Sequence, residues 1–350
     1  MPSAVRLVGI TQITKDRQTM SQAVSDDKAP ESLLHRELTL ELVRVTERAA
    51  VAASRLRGRG DEKAADQAAV DAMRRELNAL DIDGTVVIGE GERDEAPMLY
   101  IGEEVGTKSG PKVDIALDPL EGTTLCAKCM PNSLATIAMA EGGSLLNAPD
   151  VYMEKIAIGG GYPEGLVDLD ADPKDNVLAL AKAKGVDPSQ ITVCVLDRPR
   201  HSHIIKAVRD AGASVTLIPD GDIAGVIHTS DPDTGIDMYM GTGGAPEGVL
   251  AAAALRCIGG QIQARLIFRD AEERRRAERV GYTDFDRKYT TNELASGDVL
   301  FAATGVTDGT MLDGIKWDKD KVSTHTVVMR SSTGTVRYIK AQHSYLAKFR

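Results

Sequence analysis

A layered α/β protein of two domains is what this sequence predicts, and three observations carry the prediction. Beyond residue 190, short apolar strands alternate with helices, the pattern of a parallel sheet covered by helices. Before it, two amphipathic helices lead into strands that break off at carboxylates. The 350 residues are too many for one small core and suit two domains of roughly 100–200 residues each. The expected divisions are a mobile N-terminal tail over 1–32, an α+β domain over 33–190, and an α/β domain over 191–350.

The elements follow in order. Residues 1 to 32 are polar and lack periodicity, so they read as a tail, with Ser32 as a candidate cap for the first helix. Leu34, Leu38, Leu42, Val45, Ala49, Ala52 and Leu56 then recur at helical spacing until "RGRG" ends the run. A second helix carries Val70, Met73, Leu77 and Leu80 on one face, with Asp66 at the head of that stripe, read as a first-turn acid. Thr85–Ile88 is a β-branched strand followed by Gly89-Glu90-Gly91-Glu92. Val113, Ile115 and Leu117 alternate up to Asp118, Pro119 and Glu121, where the proline should stop the strand. Segments 133–140 and 151–158 read as strands, with "EGGS" as a hairpin connection after the first.

Past residue 190 the series is "ITVCVL" strand, "HSHIIKAVRDAG" helix, "SVTLI" strand, "DIAGVIHTS" helix, "IDMYM" strand and "PEGVLAAAALRCIGG" helix. Residues 268–292 are charged and read as an exposed helical excursion. "DVLFAATGV", "THTVVMR" and "TVRYIKA" supply closing strands.

A net charge of −10 disfavours nucleic acid or an anionic membrane as partner, since both need a basic face. No apolar run has the length of a membrane span, and the first twenty residues lack the apolar segment of a signal peptide, so the cytoplasm is the expected compartment. Four cysteines are too few for a disulfide framework. Cys126-Ala-Lys-Cys129 spells C-x-x-C, a redox motif or half a zinc site. No second pair with zinc spacing follows, and packing as small hydrophobes is the favoured reading.

Gly241-Thr-Gly-Gly-Ala-Pro-Glu-Gly248 lies between a strand and a helix, but G-x-G-x-x-G would need glycine at Pro246, and no G-K-[ST] occurs. The turn instead sets Glu247 in a helix's first turn, as a capping acid or as a ligand. Asp66, Glu90, Asp118, Glu121 and Glu247 thus all sit at helix starts or strand ends. Hard divalent ions such as Mg²⁺ or Mn²⁺ take oxygen ligands, and two of them roughly 3.5–4 Å apart clamp a phosphoryl group in transfer. Four or five carboxylates would serve two ions.

The runs "ADQAAVDAMR", "GTVVIGEGERDEAPMLYIGEEVG", "VDIALDPLEGT", "LNAPDVYMEK", "RPRH", "IPDGD" and "GTGGAPEGV" resemble, in order and from about residue 35 to 340, those of class II fructose-1,6-bisphosphatases. These belong to the lithium-sensitive, metal-dependent sugar and inositol phosphatases, whose D-P-[IL]-[DE]-G-[ST] signature is similar to Asp118–Thr123. The resemblance implies the sugar-phosphatase fold of alternating helix and sheet layers. It implies hydrolysis of the 1-phosphate of fructose 1,6-bisphosphate, two Mn²⁺ or Mg²⁺ ions, and a homo-oligomer, dimer or tetramer.

It also implies residue roles. Asp66 and Glu90 match ligands of one ion, and Asp118, Glu121 and Glu247 match ligands of the other. Glu121, Gly122 and Thr123 match the stretch that meets the reacting phosphate, and Thr123, with Asp66 or Glu90, matches the groups that orient or deprotonate the attacking water. Tyr152, Arg198, Pro199, Arg200, Asp220, Gly221, Asp222 and Gly244 match the hold on the uncleaved end. Two departures stand out: Glu62-Lys63-Ala64-Ala65 replaces the commoner Lys-Asn-Thr-Ala, and Arg198 stands where lysine is also common. Sedoheptulose 1,7-bisphosphate, an inositol phosphate, or a metal-binding protein without turnover are the alternatives.

Overall fold

The computed structural model describes residues 34–91, 98–279 and 281–349. Ser32 and Glu92 fall outside them. The elements are, in order, α1 (Leu38–Ser54), α2 (Glu62–Leu77), β1 (Asp83–Ile88), β2 (Glu104–Val105), β3 (Lys112–Glu121), α3 (Thr123–Ala127), β4 (Leu134–Glu141) and β5 (Tyr152–Ile158). Then come α4 (Pro173–Lys184), β6 (Thr192–Leu196), α5 (Ser202–Asp210), β7 (Ser214–Ile218), α6 (Asp222–Ile227), β8 (Met238–Gly244) and α7 (Ala245–Ile258). The chain closes with β9 (Gln261–Ile267), α8 (Ala271–Arg279), β10 (Lys288–Thr290), α9 (Thr291–Leu294), β11 (Val299–Gly305), β12 (Lys316–Asp318), β13 (Lys321–Arg330) and β14 (Thr335–His343).

Two sheets form. The first has the order β12-β13-β11-β4-β3-β1-β2 with β14 on the outer side of β13, and the second has the order β10-β9-β5-β8-β6-β7. Pairs β1–β3, β6–β7 and β6–β8 are parallel, and the other pairings are antiparallel. Sheet membership changes hands twice along the chain, since β5 to β10 build the second sheet and β11 to β14 return to the first.

Strand alternation decides what each face meets. Ile115 and Leu117 of β3, with Ile137 and Met139 of β4, pack beneath α1 and α2. Their neighbours Ala116, Ala138 and Ala140 face the opposite way, onto α7. The stretch "GVLAAAAL" of α7 is buried on every side, because the helix also lies against Met153 and Ala157 of β5 and Ala264 and Leu266 of β9. On the far side of the second sheet, Val177 and Leu180 of α4 and Ile204 and Val208 of α5 cover Ile156, Val193 and Val195. The order is helix, sheet, helix, sheet, helix, the alternating layers expected.

Several expectations need correction. "EGGS" does turn the chain, but β4 is already paired on both sides by β3 and β11, so the chain leaves for the second sheet. Pro119 does not end β3, which runs on to Glu121. Asp61 takes the N-cap of α2, accepting from the Ala64 amide at 3.0 Å, so Asp66 lies in the second turn. Residues 268–292 hold α8 but also β10 and part of α9, which close the edge of the second sheet. Helix α4 was not anticipated at all.

Candidate active site

The register of β3 against β4 explains how Asp118 and Glu121 come together. Asp118 stands opposite Thr136, and Glu121 opposite Leu134, so three steps on β3 match two on β4. Residues three apart in a regular strand point to opposite faces; the extra residue of this bulge returns them to one side. Pro119 suits the bulge, having no N–H for the ladder. The Asp118 Oδ1 accepts from the Leu120 amide at 3.0 Å, and the two carboxyls share a hydrogen bond. Ser133 Oγ donates to the Glu121 carbonyl at 3.0 Å, and the Ile223 amide reaches its Oε1 at 3.4 Å.

Glu247 arrives from the first turn of α7. A Cβ at its neighbour Gly244 would lie 2.0 Å from Glu247 Oε2, so any side chain there would push the carboxylate aside. Oxygens of Asp118, Glu121 and Glu247 lie within 4.8 Å of one another. Glu247 Oε2 is buried without a hydrogen-bond partner among the described residues. Three converging carboxylates with an oxygen left over suit a hard divalent cation, which demands oxygen ligands and repays their desolvation.

Asp66 of α2 and Glu90, just past β1, share a hydrogen bond beside this group. Burial pushes Glu90 up to about 9, with the Asp66 and Asp118 charges adding to it. Burial likewise raises Asp118 to about 6 and Glu247 to about 7, and lifts Asp66 and Glu121. Burial is the first cause in each case, and the neighbouring carboxylates add to it for Glu90, Asp118, Glu121 and Glu247. Gly122, at φ +74°, turns the chain into the short α3 and leaves Thr123 half-buried at its start.

The remaining expected residues meet at the ends of β5 and β8. Tyr152 pairs with Gly244 across the strands. The Arg200 guanidinium lies 5.1 Å from the Tyr152 ring centre and donates to the Thr242 carbonyl at 2.6 Å. Arg198 is 3.9 Å from Asp220, and Pro199 opens the single helical turn that carries Arg200. Gly221, at φ +82°, precedes Asp222. Asp220 raises the Asp118 carboxyl through its charge, so this loop faces the carboxylate group. Lys63 is exposed in the first turn of α2.

Four residues escaped the sequence reading. Lys155 is 1% exposed, donates to Asp222 at 2.6 Å and to the Gly244 carbonyl at 3.0 Å, and is a buried cation beside the acids. Tyr239 donates to the same Asp222 oxygen at 3.0 Å. Buried His201 accepts from the Thr242 amide at 2.9 Å while its Nδ1 meets the Leu196 carbonyl. Arg269 lies against Tyr152. Lys155 had a signal, a lysine within the β-strand "MEKIAI", where every other residue but Glu154 is apolar; Arg269 had none.

The C-x-x-C thiols are free and lie apart from this chemistry. Cys126 is buried on α3 against the Ala53 carbonyl, and burial pushes its thiol up to about 11, while Cys129 is exposed.

Along residues 36–343 the chain matches the family described as bacterial fructose-1,6-bisphosphatase, glpX-encoded. It is 45% identical over 332 residues to the D-fructose 1,6-bisphosphatase class 2/sedoheptulose 1,7-bisphosphatase of Synechococcus sp. (strain JA-3-3Ab), covering 88% of this chain and 95% of that one. It is 42% identical over 324 residues to the protein of the same description from Prochlorococcus marinus (strain NATL1A), covering 89% and 97%. With that match over nearly all the described residues, and with a carboxylate group that could hold a metal ion, the chain belongs to the bacterial glpX-encoded fructose-1,6-bisphosphatases and is a phosphatase that hydrolyses fructose 1,6-bisphosphate.

Proposed function

We propose that Asp118, Glu121 and Glu247 hold one divalent ion and Asp66 and Glu90 a second, Mn²⁺ or Mg²⁺, beside a sugar phosphate. The observation that carries this reading is the convergence of three carboxylates around the unpartnered Glu247 Oε2. Bound there, such ions supply charge neutralisation for the phosphate and for the oxygens entering and leaving it. The chain's own groups do the rest. Thr123 orients the attacking water through its hydroxyl. Asp66 or Glu90 accepts the proton that water releases. As the new P–O bond forms, the bond to the sugar 1-oxygen breaks, and that oxygen takes a proton from solvent water as it leaves.

Specificity rests on the other end. Tyr152, Arg198 and Arg200, with the Pro199 turn and the 220–222 loop, hold the uncleaved phosphate away from the acids and so fix which ester reacts. Gly244 contributes by letting β8 pass close to Glu247. Asp222 serves this site differently from its neighbours. With its carboxylate engaged by Lys155 and Tyr239, it anchors the loop.

The two cyanobacterial relatives carry both bisphosphatase activities in their names, which favours sedoheptulose 1,7-bisphosphate as a second substrate here. The edge strand β14 exposes Val336 and Tyr338, which suits a homo-oligomer. Free thiols and a sugar-phosphate substrate fit action in the cytoplasm. The deciding experiment is phosphate release from fructose 1,6-bisphosphate, sedoheptulose 1,7-bisphosphate, fructose 1-phosphate and an inositol phosphate, with Mg²⁺ or Mn²⁺. Preferred turnover of the inositol phosphate would overturn the substrate reading.

A further inference from the structure

We propose that Arg269 is a third cation of the pocket for the uncleaved phosphate and helps the enzyme prefer bisphosphates; the inference rests on the reading of Arg198 and Arg200 given above. Arg269 follows β9, two residues beyond Ile267, which pairs directly with Tyr152. Its guanidinium lies 5.1 Å from the Tyr152 ring centre, the same distance as that of Arg200. Two guanidinium groups therefore share one ring.

The conformation of Arg269 is specified by the chain. Glu273, only 2% exposed, accepts from the Arg269 backbone amide at 2.7 Å and from its Nε at 2.7 Å, and pairs with one terminal nitrogen as well. Hydrogen bonds from the amide, Nε and one terminal nitrogen to a single carboxylate fix the side chain in one geometry, so the guanidinium is set against the Tyr152 ring before a ligand arrives. The other terminal nitrogen, Nη1, donates to nothing among the described residues.

The charge count points to an anion. Arg198, Arg200 and Arg269 surround this end of β5 and β8. Asp220 stands 3.9 Å from Arg198 and Glu273 holds Arg269, while Arg200 donates only to the Thr242 carbonyl among the described residues. Of the three, Arg200 alone has no carboxylate partner among the described residues, and the two cations on the Tyr152 ring repel each other until an anion joins them. A phosphate monoester at the far end of a sugar bisphosphate supplies that charge, and arginine forks suit its oxygens.

The test compares kcat and KM for fructose 1,6-bisphosphate and fructose 1-phosphate at saturating Mn²⁺ in the wild type, Arg200→Ala, Arg269→Ala, Arg269→Lys and Glu273→Gln, each with its melting temperature recorded. Arg269→Ala is expected to raise KM for the bisphosphate about tenfold while kcat changes less than about threefold, so the ratio of the two kcat/KM values falls about tenfold. Arg269→Lys should lie between, and Glu273→Gln should shift the ratio in the same direction by freeing the side chain. A purely structural Arg269 would lower stability and both substrates' rates alike, leaving the ratio unmoved. If Arg200→Ala collapses the ratio and Arg269→Ala leaves it intact, the inference about Arg269 is wrong while the pocket stands. If the wild type shows no preference for the bisphosphate, the pocket reading itself fails, and this inference with it.

Discussion

Lys155 Nζ lies 2.6 Å from the Asp222 carboxylate, at 1% and 6% side-chain exposure, and the same nitrogen holds the Gly244 carbonyl at the start of α7. This buried pair joins the first residue of α6 to the helix that delivers Glu247. Removing the lysine leaves a buried carboxylate with the Tyr239 hydroxyl but no cation beside it, so Lys155→Met should destabilise the fold by about 3–5 kcal/mol. Adding Asp222→Asn should restore part of that loss. Thermal or denaturant melts of the single and double variants check it; a single variant as stable as wild type would show that the pair carries no weight.

Metal removal has a pH signature. Burial and mutual repulsion hold Asp118 at about 6, Glu247 at about 7 and Glu90 at about 9, all above ordinary carboxyl values. The folded metal-free protein therefore binds more protons than the unfolded chain across this range. Such groups stabilise most below the unfolded values near 4 and lose that contribution as pH rises through 6 to 9. The melting temperature of chelated protein should fall on going from pH 6 to pH 9, and added Mn²⁺ should flatten the fall. A metal-free melting temperature that rises with pH would contradict this electrostatic picture.

Asp118→Asn should keep the fold and abolish turnover, because an amide fills the same space but removes a ligand charge. Calorimetric Mn²⁺ titration should show weakened binding. Wild-type affinity in this variant would mean that the ion sits elsewhere.

Thr123→Ala should lower kcat by roughly 10²-fold or more with a far smaller change in KM, and Thr123→Ser should keep part of the activity. Equal kcat in the alanine variant would leave Thr123 as no more than the first residue of α3.

Replacing Cys126 and Cys129 together by serine should leave turnover within a few-fold under reducing conditions, since Cys126 is buried with a raised thiol and Cys129 faces solvent. Dithiol-dependent activity that disappears in the double variant would establish redox control instead.

What could be read in advance was local. The apolar stripes of α1 and α2, the strands of the second half and the acids at their ends all follow from spacing within a dozen residues. The bulge at Pro119 was not legible, because it exists only in the register of β3 against β4. The same holds for "EGGS", whose hairpin was excluded by β11, a strand far along the chain. Helix α4 is a different matter. Asp172 caps it, Pro173 opens it and Gly185 at φ +72° ends it, signals present in the sequence but masked by its weakly amphipathic run. Asp66 was placed in the wrong turn because Asp61 offered an equally good cap. Lys155 and Asp222 could not be paired from sequence, since only the packing of β5 against α6 brings them together.

The return of β11 to β14 to the first sheet bears on how the protein comes into being on the ribosome. Until Val299 and the residues after it emerge, β4 has one bare edge and the face above α7 lacks Phe301, Ala303 and Val327. Every acid of the active site is synthesised before then, yet β4, the strand against which the bulge of Asp118 and Glu121 is set, waits on a partner made late. A nascent chain stopped after α7 would carry all five carboxylates and still lack the finished sheet that holds them, an exposed edge open to mispairing.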